Sequence, residues 1–264
     1  MATVHCDGAN IYWESAGQGT PLMMVAGLGG VAAYWTPQMK TFCRDYRVIA
    51  HDQRGTGRSS QVPVQSVEQM ADDALAVMDA AGVDRTLSLG HSTGGAIGVA
   101  LALKYPDRIA GLVINASTTH GDAYRHKLLG LRKTLLKMER PDAYASYTTL
   151  LLYPHWYINE HHAQLMVDEV KAVQSLGNAQ AQESRLDAIL RFDPRESLGQ
   201  LNVPTLVLCA KDDILTPPYF SEEYAALIPN AKLVTLETGG HAASRTVTAE
   251  YDLVVRAFFE SLPQ

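Results

Sequence analysis

The sequence predicts an α/β fold, in which a mostly parallel sheet is flanked by helices and carries an inserted helical cap. Short apolar runs alternate with stretches of helical length over most of the 264 residues, and this alternation is typical of a parallel sheet covered by helices. Some runs, such as Pro21–Ala26, are apolar without a break, as in strands buried on both faces. The alternation stops between Ser117 and Leu201, where helical patterns follow one another, and then resumes.

The predicted elements follow in chain order. Thr3–Glu14 alternates apolar and polar residues around Asp7-Gly8 and predicts two antiparallel strands joined by a turn. The further strands are predicted at Pro21–Ala26, Tyr46–Ala50, Thr86–Leu89, Ile109–Ile114, Val203–Ala210 and Ala231–Leu236. Helices between them are predicted at Ala33–Phe42, Met70–Ala81 with Gly82 as its C-cap, Ser92–Lys104, Ser221–Leu227 and Ala249–Ser261.

The insertion contains only helical patterns. They are predicted over Leu128–Leu136, Tyr144–Leu152, Ala163–Gln174 and Ala179–Leu190. We therefore expect a core formed by residues 1–117 and 202–264, and a helical cap formed by residues 118–201.

Composition and charge exclude several classes of protein. A hydrophobic content of 47% with 19% charged residues is that of a soluble globular protein. The net charge of −6 argues against a nucleic-acid partner, and no run approaches the roughly 20 apolar residues of a membrane span. The first residues lack the basic and apolar regions of a signal peptide. Three widely spaced cysteines favour a reducing compartment, so we expect a cytoplasmic protein. A homodimer is a separate possibility that the sequence leaves open.

The stretch Gly90-His91-Ser92-Thr93-Gly94 has the setting of a nucleophile elbow, because it lies between a predicted strand and an Ala-rich helix. Glycines on both sides of Ser92 give clearance at a tight turn. The free N–H groups at the start of the following helix favour negative charge at the same place. Ser92 is therefore a candidate nucleophile.

Two further loops follow strand ends and carry suitable side chains. One contains Asp212-Asp213 and the other ends in Gly239-Gly240-His241. Functional residues of such sheets gather at the carboxyl ends of the strands. A serine hydroxyl needs a base, which His241 can supply, and a carboxylate on the other ring nitrogen fixes the tautomer. Either aspartate could be that carboxylate.

Five motifs in this order resemble the α/β-hydrolase family over nearly the whole chain. They are Gly27-Leu28-Gly29, Asp52-Gln53-Arg54-Gly55-x-Gly57-x-Ser59, Gly90-His91-Ser92-Thr93-Gly94-Gly95, Asp213-x-x-x-Pro217 and Gly239-Gly240-His241. The resemblance implies that Asp213 is the triad acid, since the family places it four residues before the proline. We expect Asp212 instead to face solvent or to cap its loop.

The resemblance also implies an oxyanion hole formed by the N–H groups of Leu28 and Thr93. The family often has His-Gly at the first of these loops, whereas this chain has Ala26-Gly27. The loop must therefore be braced from elsewhere. In Asp52-Gln53-Arg54, we expect the charged residues to tie the loop together rather than to act in catalysis.

Within the family, several segments of the core and the cap look most like aminoacrylate hydrolases of pyrimidine breakdown, and nearly as much like 3-oxoadipate enol-lactonases. The segments are Gly27-Leu28-Gly29-Gly30 followed by Tyr34-Trp35-x-Pro37-Gln38, then Leu152-Tyr153-Pro154-x-Trp156 and Arg185-Leu186-x-Ala188. We assign Tyr153, Trp156 and Arg185 as candidate substrate-binding residues. Trp156 could equally be a cap-core residue, and for Arg185 a surface salt bridge is favoured over a clamp for a substrate carboxylate.

The resemblance implies a serine hydrolase that needs no cofactor or metal and acts on a small-molecule substrate. We expect it to cleave a carboxylic ester, enol-lactone or related acyl compound through an acyl-enzyme (EC 3.1.1). The alternatives are a C–N hydrolase of the aminoacrylate or carbamate type, a perhydrolase or a C–C hydrolase on the same triad. A non-catalytic small-molecule sensor also stays open.

Overall fold

The computed structural model describes residues 2–262, Ser175 by its backbone alone, and has an eight-stranded sheet at its centre. The strands are β1 (Ala2–Cys6), β2 (Ala9–Ala16), β3 (Thr20–Val25), β4 (Tyr46–His51), β5 (Thr86–His91), β6 (Ile109–Asn115), β7 (Thr205–Ala210) and β8 (Lys232–Leu236). Their spatial order is β1-β2-β4-β3-β5-β6-β7-β8. The pairs β1–β2 and β2–β4 are antiparallel, and the other pairs are parallel. The prediction of a mostly parallel sheet is confirmed.

The unbroken apolar runs form strands that are covered on both faces. In β3, Met23 and Val25 pack into one hydrophobic cluster, and Leu22 and Met24 pack into the other. Successive side chains of a strand point to opposite faces, so a strand with helices on both sides needs apolar residues at every position.

Ten α-helices lie in the described residues. They are α1 (Thr36–Phe42), α2 (Val67–Ala80), α3 (Thr93–Lys104), α4 (Ala123–Lys137), α5 (Pro141–Leu152), α6 (His155–Ser175), α7 (Ala179–Arg191), α8 (Tyr219–Leu227), α9 (Ala243–Thr246) and α10 (Thr248–Glu260). Helices α4 to α7 all lie between β6 and β7, where the sequence predicts an insertion. The domain boundaries at 117 and 202 stay a prediction, since cap residues such as Leu186 and Ile189 share a hydrophobic cluster with the core.

Local signals explain where helix starts differ from the prediction. Ala32–Trp35 form a 3-10 turn, and α1 begins only at Thr36, with a proline in its first turn. Helix α2 begins three residues earlier than predicted because the Ser66 side chain caps it by accepting the Gln69 N–H. Gly82, with φ +65°, follows the C-terminal end of α2 in the left-handed region.

The turn predicted at Asp7-Gly8 joins β1 to β2, and both of its residues have positive φ. Among residues 2–262, no helix combines the length and the apolar character that crossing a bilayer requires.

Candidate active site

The elbow holds Ser92 in an unusual backbone conformation at the carboxyl end of β5. Ser92 has φ 55° and ψ −119°, and α3 begins at the next residue. A Cβ on Gly94 would collide with the Val25 carbonyl oxygen, and one on Gly90 would collide with the Gly94 carbonyl. The Ser92 N–H donates to the Asn115 carbonyl at 2.8 Å, which ties the elbow to β6. Both glycines are therefore needed for the backbone to turn this closely.

Asp213 and His241 form a buried, hydrogen-bonded pair beside this elbow. The distance from His241 Nδ1 to Asp213 Oδ2 is 2.9 Å, and both side chains are almost fully buried. Asp213 Oδ1 accepts the N–H groups of Leu215 and Thr216 at 2.8 and 2.9 Å, and the Thr216 hydroxyl donates to Oδ2 at 2.7 Å. Because a carboxylate only accepts hydrogen bonds, Nδ1 carries the proton and Nε2 is free to act as a base.

Ser92 and His241 line the same cavity. In the described part of the chain, no hydrogen bond joins the Ser92 hydroxyl to the His241 ring. Such bonds are often long in a site without substrate and tighten only in the complex.

Asp212 points away from this pair and holds the loop that carries the histidine. Its carboxylate accepts the Gly240 N–H at 2.8 Å and the Thr238 hydroxyl at 2.6 Å. This position agrees with the expected capping role of Asp212.

The buried His91 ring lies against His241 and is itself neutral. Its ring is stacked on Tyr34 and tilted against His241, with a centroid separation of 4.8 Å in each case. The Asn115 amide donates to His91 Nδ1 at 3.0 Å. Burial holds the pKa of His91 well below its usual value, and the nearby His241 adds to this effect. His91 therefore places no charge against an imidazolium at His241.

The glycine-rich loop after β3 forms a tight turn at the other side of Ser92. The Gly30 N–H donates to the Gly27 carbonyl at 2.9 Å and closes the turn. Leu28 and Thr93 line the cavity. Within residues 2–262, the N–H groups of both lack a hydrogen-bond acceptor, so both are free to bind an oxyanion.

The cavity has a volume of about 660 Å³ and lies between the carboxyl edge of the sheet and the cap helices. This size suits a small molecule. Tyr153 lines the cavity, and its part in substrate binding stays a prediction. Among the described residues that form the wall, neither Trp156 nor Arg185 is present.

Trp156 and Arg185 instead connect structural elements. The Trp156 ring N–H donates to the Thr238 hydroxyl at 3.2 Å. Arg185 is fully buried, and in the described residues it forms no ion pair, so the expected surface salt bridge is wrong. Its guanidinium donates to the carbonyls of Arg54 and Leu28 and to the Gln53 side chain, at 2.8, 3.0 and 2.6 Å. Its predicted contact with substrate therefore finds no support in this position.

Asp52 and Arg54 tie their loop together, as expected, but through partners other than each other. Asp52 accepts two hydrogen bonds from the Arg58 guanidinium, at 2.7 and 3.0 Å. Arg54 pairs with Asp73 of α2 at 2.6 Å, with both side chains buried.

Besides Arg58, which pairs with acids, three cavity-lining arginines were not assigned to substrate binding in the sequence analysis: Arg125, Arg132 and Arg245. Arg125 donates to the Leu215 carbonyl at 2.9 Å, and Arg132 donates to the Thr148 hydroxyl at 3.1 Å. Arg125 and Arg132 lie seven residues apart on α4, which puts them on one face of the helix. That spacing is a signal that could have found the pair.

Arg245 lies four residues after His241 in α9. Its guanidinium is 5.1 Å from the centre of the Tyr34 ring, and its nearest hydrogen bond is a 3.5 Å contact with the Tyr153 hydroxyl. No carboxylate of residues 2–262 forms an ion pair with any of these three arginines.

Three of the four acids in the described cavity wall form ion pairs. Glu14 and Asp52 pair with Arg58, and Asp168 pairs with Lys171. The fourth acid is the half-buried Glu169. Three arginines of the described wall form no ion pair, against one such acid, so the wall carries a small excess of positive charge.

Comparisons with known proteins identify the family of this chain and several relatives. The sequence model of the family described as the alpha/beta hydrolase fold matches residues 20–151 and 169–244. A relative from Azorhizobium caulinodans, named "Putative carbamate hydrolase RutD", is 36% identical over the full length of both chains. The enol-lactonase of Burkholderia xenovorans has a TM-score of 0.91 at 23% identity, covering 98% of this chain and all of the other. An esterase from Thermogutta terrifontis has a TM-score of 0.87 at 25% identity, covering 98% and 97%.

Proposed function

The chain belongs to the α/β-hydrolase family, and we propose that it is a serine hydrolase that cleaves a small, negatively charged carboxylic ester or lactone through an acyl-enzyme. The observation that carries the proposal is the buried pair of Asp213 and His241, whose free ring nitrogen opens on the cavity that Ser92 lines. The proposed site uses no cofactor or metal.

The mechanism follows from the positions of these groups. Ser92 Oγ attacks the acyl carbon while His241 Nε2 takes its proton, and Asp213 stabilises the imidazolium. The N–H groups of Leu28 and Thr93 bind the oxyanion of the tetrahedral intermediate. The C–O bond then breaks, and His241 gives its proton to the leaving oxygen. Water, activated by the same histidine, hydrolyses the acyl-enzyme, releases the acid and restores the Ser92 hydroxyl.

The charge of the cavity supports an anionic substrate. Arg132 and Arg245 each keep a buried Nε without a partner. Burial lowers the pKa of Arg125 to about 10, so this guanidinium stays charged at neutral pH. A buried charge without an ion pair costs free energy, and a substrate carboxylate would supply that ion pair.

The experiment compares two esters of equal acyl length, p-nitrophenyl butyrate and mono-p-nitrophenyl succinate. Hydrogen bonds to charged groups contribute roughly 1.5–3 kcal/mol, so we expect kcat/KM to favour the succinate by at least about tenfold. Arg132→Gln and Arg245→Gln should reduce this preference. Lys171→Gln is the matched control, because Lys171 also lines the cavity but already pairs with Asp168. A preference for butyrate that none of the variants changes would contradict an anionic substrate.

A second candidate is hydrolysis of a carbamate-type C–N bond on the same triad. The name of the relative that matches over its full length favours it. Ser92 would attack the same kind of acyl carbon, and His241 would protonate a leaving nitrogen instead of an oxygen. Release of ammonia from a carbamate, with a kcat/KM above that for the ester panel, would select this candidate.

We also propose a cytoplasmic location and a small molecule, rather than nucleic acid or membrane, as the binding partner. The free thiols of Cys6, Cys43 and Cys209 support a reducing compartment. A homodimer is a further proposal, which sedimentation of the purified protein would test.

A further inference from the structure

We propose that Arg185 and Gln53 act as positioning residues that set the direction of the Leu28 N–H, and so couple the cap to the oxyanion hole. The proposal rests on the function proposed above. It concerns how the site is held and not which groups react.

Three successive carbonyls of the glycine-rich loop are each fixed by a different donor. Gln53 Nε2 donates to the Ala26 carbonyl at 2.6 Å. The Gly30 N–H donates to the Gly27 carbonyl at 2.9 Å, and Arg185 Nη2 donates to the Leu28 carbonyl at 3.0 Å. The loop therefore has no peptide between Ala26 and Gly29 that can rotate without losing a hydrogen bond.

This pattern determines where the Leu28 N–H points. The C=O and N–H of a trans peptide lie in one plane and point in opposite directions. The Gly27 carbonyl is held by the turn, so the Leu28 N–H of the same peptide points away from the turn. The peptides on either side are held by Gln53 and Arg185, which stops them from rotating and carrying the Leu28 N–H with them.

The two side chains work as one unit because Arg185 also donates to Gln53 Oε1 at 2.6 Å. With its oxygen held in this way, the Gln53 amide must present its nitrogen to the Ala26 carbonyl. Gln53 is 1% exposed and Arg185 is fully buried, so water competes with neither contact.

The composition of this unit points to positioning and not to stability. Arg185 lies in α7 of the cap, and every partner named here lies in the core. Burial lowers its pKa to about 10, yet no carboxylate in the described residues forms an ion pair with it. An apolar side chain could fill the same space without the desolvation cost. The gain from the guanidinium is that it reaches two core carbonyls and one amide oxygen at once.

The hydrogen bonds of Arg185 and Gln53 also explain how the glycine-rich loop is held in place in this chain. Where this chain has Ala26-Gly27, the resemblance described in the sequence analysis implies His-Gly, so the loop needs a support from elsewhere. The Arg185–Gln53 unit is that support, and it makes the oxyanion hole depend on the seating of the cap.

The test measures kcat, KM and the inhibition constant of a trifluoromethyl ketone, whose adduct places an oxyanion in the hole. The full-length protein would be compared with Gln53→Glu and Arg185→Met, and fluorophosphonate titration would give the fraction of active sites. Gln53→Glu keeps an acceptor for Arg185 but removes the donor to the Ala26 carbonyl. Ser184→Ala is the matched control, because Ser184 of the same helix accepts the Val64 N–H at 2.9 Å without touching the loop.

Loss of an oxyanion donor costs about 10²–10³-fold in rate. A donor that points in the wrong direction should lose part of this contribution to the rate. We expect Gln53→Glu to lower kcat per active site by at least about tenfold with KM within about threefold. The inhibition constant should weaken in proportion. Ser184→Ala should leave all three quantities within about twofold of the starting protein.

An unchanged kcat per active site in Gln53→Glu would contradict the proposed positioning role of Arg185 and Gln53. An equal loss of kcat in Ser184→Ala would contradict it as well. If Arg185→Met does not fold, Gln53→Glu alone decides. Failure of the proposed function is distinguishable, because the unaltered protein would then neither react with the fluorophosphonate nor turn over. That result would remove both proposals.

Discussion

Replacing Asp213 by asparagine should reverse the tautomer of His241. Asp213 Oδ1 accepts two backbone N–H groups, from Leu215 and Thr216, at 2.8 and 2.9 Å. An asparagine must keep its oxygen at these two donors, so its NH₂ group replaces Oδ2 and faces His241 Nδ1. Nδ1 then has to accept a hydrogen bond, and the ring proton moves to Nε2. The nitrogen that should take the Ser92 proton would already carry one.

The size of the effect can be judged from the equivalent change in a serine protease, which costs about 10⁴-fold in kcat. We expect Asp213→Asn to lower kcat by several orders of magnitude with KM little altered, since the cavity shape is kept. The assay is steady-state hydrolysis of p-nitrophenyl esters, together with thermal unfolding to show that the variant folds.

Asp212→Asn is the matched control for this variant. Asp212 holds the Gly240 N–H and the Thr238 hydroxyl, and an asparagine can keep the first bond while the hydroxyl turns to accept the second. We expect kcat to change by less than about tenfold, because a partly exposed charge contributes little. The reverse ranking of the two variants would refute the assignment of Asp213.

Two further predictions concern stability. His51 is buried with neither ring nitrogen hydrogen-bonded, and burial lowers its pKa from 6.5 to about 4; the unfolded chain therefore binds a proton that the folded one rejects, and the free energy of unfolding should fall by about 3 kcal/mol as the pH drops from 6.5 to 4. In urea unfolding measured at both pH values, the free energy of His51→Phe should fall by about 3 kcal/mol less than that of the starting protein. An unchanged dependence on pH would contradict the claim that protonation of His51 destabilises the fold. Arg54→Met should lower the free energy of unfolding by about 3–5 kcal/mol, because it leaves the buried Asp73 carboxylate without its partner. Denaturant unfolding checks this value, and a loss below about 1 kcal/mol would contradict it.

The sheet could be predicted because its strands obey a local rule. Strands covered on both faces need apolar residues at every position, and runs such as Pro21–Ala26 show this directly. The elbow could also be predicted from its glycines, since the close approach of backbones at Gly90 and Gly94 leaves no room for a side chain. The order of Ser92, Asp213 and His241 at strand ends brought together residues that are far apart in the chain.

Arg185 was misassigned although its helix carried the needed signal. Gln182, Arg185, Leu186 and Ile189 recur at the spacing of one helix face, and all four are buried. The polar character of Arg185 favoured the surface. Its partners are carbonyls more than a hundred residues away in the chain, and backbone carbonyls leave no mark in a sequence. Cavity shape was beyond the sequence for a similar reason, since it depends on how the cap helices pack over the sheet.

The most direct test of the account is to identify the residue that carries the acyl group during turnover. The protein would be mixed with a p-nitrophenyl ester, quenched in acid and digested, and the peptides would be weighed by mass spectrometry. We predict an acyl adduct on Ser92, no adduct in Ser92→Ala, and loss of nearly all turnover in that variant with thermal stability almost unchanged. An adduct on another residue, or a Ser92→Ala protein that keeps more than a few per cent of its activity, would contradict the central claim that Ser92 is the nucleophile.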